Sequence, residues 1–378
     1  MKDVYINRIE KFLPNQPVSN SEIEDCLGLV NGNESKAKGM ILRSNKIKTR
    51  YYALDKKGKP THTNTEITVN AIRKLFDDNF RLEDVNLLTA GTSSADALQP
   101  SHALMVHGEL GGHPMEVMSA HGTCNAAMTS FKYACMAIKT GEVENAVCAG
   151  SETLGSWMLA ENFDQEIDKR KELEKNPYIG FEKDFIRWML SDGAAALLLQ
   201  NKPNSTGNSL KVEWVEIVSF ANEFETCMYA GCKKNADGSI TGWKQMTPDE
   251  RIQKSVFSLQ QDAKLLQKHV VSAGAGYMKR MMDKHGLASS DIDYFLAHIS
   301  SMYFKDKVYK GLCKVGVDIP YDKWFINLTK VGNIGAASAF MMLEELFHSG
   351  KLNKGEKIFV MVPESARFSY TFMLVTVV

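Results

Sequence analysis

The sequence predicts an α/β protein made of two duplicated halves, with sheets and helices stacked as five αβαβα layers. Three observations predict it. Two motifs recur in the same order at nearly the same spacing, short apolar strands alternate with helices in each half, and two helices are apolar on every side. Strands alternating with helices imply mixed or parallel sheets covered on both faces. A helix without a polar face must be enclosed, here between sheets.

The repeat sets the element order. "EDVNLLTAGTSS" (83–94) and "SDIDYFLAHISS" (290–301) match at Asp84/Asp291, Val85/Ile292, Ala90/Ala297 and Ser93-Ser94/Ser300-Ser301, an offset of 207. Downstream, Cys124 lies 17 residues before Gly141, and Asn333 lies 17 before Gly350; Ala127 meets Ala336 at an offset of 209. "AIRKLFDD" and "YMKRMMDK" read as helices leading into the first strand pair. "VNLLTAGTSS" and "IDYFLAHISS" are short apolar strands that end in small polar residues. The apolar helices follow at 125–139 and 335–347, with glycines at their C-terminal ends. "NAVCAGSE" and "KIFVMVPES" are the next strands, and "DGAAALLLQ" and "YTFMLVTVV" close the halves. The halves are therefore expected at 1–205 and 206–378. The charged stretch at 156–190, containing "ENFDQEIDKRKELEKNPY", interrupts the pattern in the first half. It reads either as a lid over a pocket or dimer edge, or as a solvated surface helix.

Composition excludes several function classes. At 378 residues, the chain exceeds one compact core. Its 45 basic and 45 acidic residues cancel, so no global field draws nucleic acid or an anionic membrane. "MKDVYINRIEKFLP" has no apolar core, and no run of 18 apolar residues occurs, so neither a secretion signal nor a membrane span is expected. Seven scattered cysteines without a CxxC pair read as reduced thiols in a cytoplasmic protein, with no disulfide frame and no metal site.

The duplication nominates a site. Cys124 opens the buried helix of the first half, Asn333 opens its counterpart, and His298 ends the second half's strand where the first half has Gly91. Equivalent positions of duplicated halves converge, so these three side chains are expected together. A helix N-terminus favours the thiolate and is expected to lower the thiol pKa. A thiolate beside His and Asn suits covalent acyl transfer.

These residues carry a resemblance over nearly the whole chain. "SAHGTCNAAMTSF", "CAGSE", "SDGAAALLL", "AHISS" and "KVGNIGAAS" resemble the nucleophile elbow, its flanking strands, the histidine strand and the asparagine loop of β-ketoacyl-acyl-carrier-protein synthase III enzymes of the thiolase superfamily. The resemblance implies a thiolase-like fold and Cys124 as nucleophile, with His298 and Asn333 as the condensation pair. It also implies an oxyanion hole made by the amides of Cys124 and Ala366. The implied reaction is a Claisen condensation of two acyl thioesters through an acyl-cysteine, with no cofactor. Donors would ride on coenzyme A or acyl carrier protein, and a homodimer would form through the first-half sheet. The alternative is an acyltransferase that loads Cys124 and passes the group on without condensation.

Departures narrow the resemblance. The last cysteine is Cys313, before Asn333, which argues against a degradative thiolase. Residues 91–95 read "GTSSA", without the glutamate of a hydroxymethylglutaryl-CoA synthase. A non-catalytic partner subunit normally lacks the nucleophile, which is kept here. "ESKAKGMILRSNKIKTRYY" has no tryptophan to stack adenine, and Ser-Ala-Arg replaces the usual glycines at 365–367. Both point to a primer other than acetyl-CoA. Length and lid resemble ketosynthases of secondary metabolism, of polyketide, dialkylresorcinol or cyclohexanedione type.

Other residues keep two readings. His121 and Gln99 are candidate substrate contacts; for His121 the alternative is a hydrogen-bonded strand end. Arg367 meets a substrate carboxylate or phosphate, or makes a structural ion pair. Lys305, Lys307 and Lys310, with Lys314, form a carrier-protein face or an ordinary solvated one. Cys135 and Cys148 read as core, and Cys227 and Cys232 lack partners for a metal.

Overall fold

Nine strands join into one sheet. They are β1 (Tyr5–Phe12), β2 (Leu87–Thr92), β3 (Glu116–His121), β4 (Asn145–Glu152), β5 (Gly193–Gln200), β6 (Leu210–Ser219), β7 (Tyr294–Ala297), β8 (Lys357–Glu364) and β9 (Ser369–Val377). Six helices matter for the site: α1 (Asn64–Arg73), α2 (His102–Leu110), α3 (Ala126–Thr140), α4 (Ala263–Lys284), α5 (Lys305–Lys314) and α6 (Ser338–Phe347). The computed structural model describes residues 1–35, 37–163 and 186–378. Most of the insertion expected at 156–190, namely 164–185, lies outside the described residues.

The strand order is β7-β8-β9-β6-β1-β5-β4-β2-β3. Read outward from the centre, the halves repeat each other. β1 pairs antiparallel with β5, β5 antiparallel with β4, and β4 parallel with β2. Likewise β6 pairs antiparallel with β9, β9 antiparallel with β8, and β8 parallel with β7. The two sheets expected to enclose the buried helices are continuous, joined where Tyr5 and Ile6 pair with Lys211 and Leu210. The first half adds an edge strand, β3, parallel to β2. In the second half a single bridge, Phe295 to Trp324, stands on the other side of β7.

Three apolar clusters give the layers. One packs Ile67, Ala71, Val106 and neighbours of α1 and α2 on the outer face of β2, β4 and β5. The central cluster holds α3 and α6 against inward residues of both halves, with Phe131 and Phe340 meeting edge to face at 6.0 Å. Each such fully buried ring stabilises the fold by about 1.5–3 kcal/mol of apolar transfer. The third cluster places α4 and α5 outside β7, β8 and β9.

Local chemistry fixes the helix ends. Thr63 and Glu66 form a capping box on α1, and Asp262 accepts the Leu265 N–H at the start of α4. The helix expected at 71–78 stops at Arg73, because Asp77 accepts the N–H groups of Asn79 and Phe80 and makes a turn. The apolar helix expected at 335–347 opens as a 3-10 turn, Gly335–Ala337, before α6.

The close seating of α3 on β2 needs a bare backbone at Gly91. A Cβ there would lie 2.3 Å from the Ala126 carbonyl carbon and 2.5 Å from the Ala127 nitrogen. Gly91→Ala is therefore expected to cost about 3 kcal/mol or more by displacing the first turn of α3. Thermal unfolding checks this, and an unchanged Tm would mean that the helix shifts freely.

Candidate active site

The ends of α3, β7, β8 and the segment before α6 open onto one cavity of about 880 Å³. Cys124, His298 and Asn333 all line it, at 8%, 4% and 5% exposure. Residues 174 apart in sequence are thus brought together, as the repeat requires. His121 and Ala366 also line the cavity; Gln99 and Arg367 are not among its walls. Arg367 is exposed, and its Nε donates to the Phe224 carbonyl at 3.0 Å, so it ties its loop to the segment that follows β6.

Asn333 is oriented by its surroundings. Its Oδ1 accepts the Gly335 N–H at 3.1 Å and the Ser338 hydroxyl at 3.4 Å. With the oxygen engaged, the side-chain NH₂ is left to donate. Gly335 holds this turn at φ +45°, and a Cβ there would meet Glu152 Oε1 at 2.8 Å. Buried Glu152 accepts from the hydroxyls of Ser93 (2.7 Å) and Ser94 (2.6 Å) and from the Ala336 N–H (3.1 Å). It thereby ties the first-half strand ends to the asparagine turn. Burial raises its carboxyl pKa, against those lowering hydrogen bonds.

His298 donates its backbone N–H to Met361 O at 2.9 Å. Among the described residues, none is hydrogen-bonded to its ring. Burial pushes its pKa down to about 4, so it is neutral imidazole near pH 7. Cys124 precedes α3, whose first turn is tied to β9 by Asn125 Nδ2 donating to Ser369 Oγ at 2.9 Å. The backbone N–H groups of Cys124 and Ala366 are bonded to no other described residue.

The lowered thiol pKa expected from the helix N-terminus is not what the structure shows. Burial raises the Cys124 pKa first, and the carboxylates of Glu364 and Glu152 raise it further. Glu364 Oε2 already accepts the Asn125 N–H at 3.2 Å, so a carboxylate occupies the positive end of the helix. Sequence reasoning passed over Glu364, although a charged residue closing the apolar strand "KIFVMVPE" was a visible signal.

The remaining walls are mainly apolar. They include Leu266, Val270 and Ala275 of α4 and Val308 and Leu312 of α5. The outer side of α5 carries the lysines. Lys305 lies 4.5 Å from the Tyr321 ring centroid, Lys307 lies 3.9 Å from that of Tyr303, and Lys310 is exposed. Cys135 and Cys148 are buried in the core, and burial raises both thiol pKa values.

Known proteins resemble this chain in sequence and fold. Residues 282–375 match the family described as 3-oxoacyl-[acyl-carrier-protein (ACP)] synthase III C terminal. The β-ketoacyl-[acyl-carrier-protein] synthase III of Clostridium perfringens is 22% identical over 362 residues, 95% of this chain and 94% of its own. The tetronic acid condensing enzyme AbyA1 superposes with a TM-score of 0.75 at 17% identity, covering 98% of this chain and 99% of that one. Xanthomonas campestris OleA, solved with lauric acid and lauroyl-CoA, superposes with a TM-score of 0.71 at 19% identity over 99% of both chains. The chain is similar to synthase III over nearly its whole length and shares the fold of these solved structures. Its similarity is to condensing enzymes of the acyltransferase class. Among its described residues, no helix is long and apolar enough to cross a membrane.

Proposed function

We propose that the protein joins two acyl thioesters by Claisen condensation, with Cys124 holding the first acyl group and His298 and Asn333 stabilising the enolate of the second. The observation that carries this is that a neutral His298 and an Asn333 whose amide NH₂ is left free to donate line the same cavity as the Cys124 thiol. Simple acyl transfer needs a nucleophile and an oxyanion hole; it has no use for two further neutral donors. The N–H groups of Cys124 and Ala366 make that hole. Enolate formation by loss of CO₂ or of a proton uses the same donors.

The walls support an apolar acyl chain as substrate, carried on coenzyme A or a carrier protein. Among the described residues lining the cavity there is no lysine or arginine. Lys305, Lys307 and Lys310 offer a carrier-protein face outside the wall helix α5. The reading includes a homodimer. β3 is paired on one side only, and exposed Leu104, Met105 and Met136 lie on the two helices that pack against it. A secondary-metabolism role, of polyketide or dialkylresorcinol type, fits the replaced glycines at 365–367.

Product analysis by mass spectrometry tests the reading. Purified protein is given saturated acyl-CoAs alone, or paired with malonyl thioesters on coenzyme A or carrier protein. A carbon–carbon coupled product is expected, and native mass should report two chains. An acyl-enzyme that forms without any coupled product would leave the acyltransferase alternative standing. The wall also predicts selectivity. Ala275→Phe fills the cavity beside α4 and is expected to lower long-chain acylation at least about 10-fold while sparing short chains. Equal losses for all chains would place the acyl group elsewhere.

A further inference from the structure

We propose that Glu364 is the base that accepts the Cys124 thiol proton when the sulfur attacks an acyl thioester. This rests on the condensing reading above and adds a residue to it. Glu364 ends β8 and lines the same cavity as Cys124. Its Oε2 is bracketed by the nucleophile's chain neighbours. It accepts the Asn125 N–H at 3.2 Å, and a Cβ built on Gly122 would lie 3.7 Å from it. No ion pair holds Glu364 among the described residues.

Two other bases at this site, His298 and Glu152, are unsuited. His298 is held at about pKa 4, so it takes a proton poorly at neutral pH. Glu152 already accepts from Ser93, Ser94 and Ala336 and ties the asparagine turn in place. Cys124 meanwhile rests as the neutral thiol, since burial and both carboxylates oppose its ionisation. A buried thiol that shares its cavity with a carboxylate is a poor spontaneous thiolate but a suitable acid for that carboxylate as the sulfur reacts.

The step balances. As Cys124 Sγ bonds to the acyl carbon, its proton moves to the Glu364 carboxylate. The thioester C–S bond then breaks, and the departing thiolate takes that proton. The products are the acyl-enzyme, a free thiol and ionised Glu364.

The assignment separates two rates that normally rise and fall together. Full-length wild type and Glu364→Gln are each treated with iodoacetamide and, separately, with an acyl-CoA that loads the wild type. Intact mass is followed with time, and Cys124→Ala marks the background from other thiols. Alkylation needs the thiolate and no proton relay, so removing the carboxylate charge should speed it severalfold. Acylation should fall about 100-fold, and Glu364→Asp should restore part of it. If both rates rise, Glu364 is only an electrostatic burden. If neither changes, it is a bystander; if both fall, it holds the site's shape. Each of those three results overturns the proposal. Wild type that takes no acyl group from any donor, yet is alkylated at Cys124, would instead remove the condensing reading on which the proposal rests.

Discussion

Replacing Cys124 with alanine is expected to abolish the acyl-enzyme and to lower product formation by about 10⁴-fold or more. The effect is large because the other groups have nothing to act on without a covalent acyl group. His298 and Asn333 can polarise a thioester, but the enolate then has no acyl-enzyme to attack. The change is gentle on the fold. The side chain faces an existing cavity, so losing Sγ enlarges a space already present. α3 keeps its Asn125–Ser369 tie and its apolar seat. Intact-protein mass after incubation with a panel of acyl-CoA and acyl-carrier thioesters checks it. A gain of one acyl mass in the wild type and none in the variant is the expected pair. The six other cysteines control for adventitious labelling; five are buried and Cys313 is exposed. A gain that persists in Cys124→Ala would move the nucleophile elsewhere and sink the assignment.

The positions of these groups were legible in the sequence because a duplication converts spacing into geometry. With 83–94 matched to 290–301, and Cys124 to Asn333, two-fold symmetry predicts that the three side chains converge, and all three line one cavity. The strand pairings of the two halves follow that symmetry in direction as well as order. What does not repeat was not legible. Other cavity walls come from 228–231, 240–243 and 257–261, which have no partner segment in the first half to report where they fold. Gln99 and Arg367 look polar and near in sequence, yet a loop's direction decides exposure, and that direction is set by tertiary contacts such as Arg367 with Phe224. The thiol's ionisation was misjudged for a related reason. A helix N-terminus is visible in sequence, whereas the burial and the opposing carboxylate of Glu364 become visible only when β8 is laid beside α3.

Asn333→Ala is expected to separate the two half-reactions, lowering condensation about 10²–10³-fold while leaving Cys124 acylation within a few-fold of wild type. Acylation draws on the thiol and the backbone N–H groups of Cys124 and Ala366, none of which alanine at 333 removes. Condensation develops charge on a second oxygen, and there the Asn333 NH₂ and His298 are the donors. Since His298 is neutral from about pH 5 upward, it cannot compensate as a cation, and the deficit should stay constant across the neutral range. Alanine also leaves the Gly335 N–H without its 3.1 Å acceptor, so a loss of shape has to be distinguished from a loss of the donor. Asn333→Asp does this. Its carboxylate keeps accepting from Gly335 and Ser338, but it turns an acceptor toward the enolate, so condensation should fall at least as far as in the alanine variant. Single-turnover mass spectrometry reads both steps in one sample. If aspartate restores condensation, Asn333 only braces its turn. If acylation collapses along with condensation in both variants, the residue serves the thiol, and the enolate pair loses one of its members.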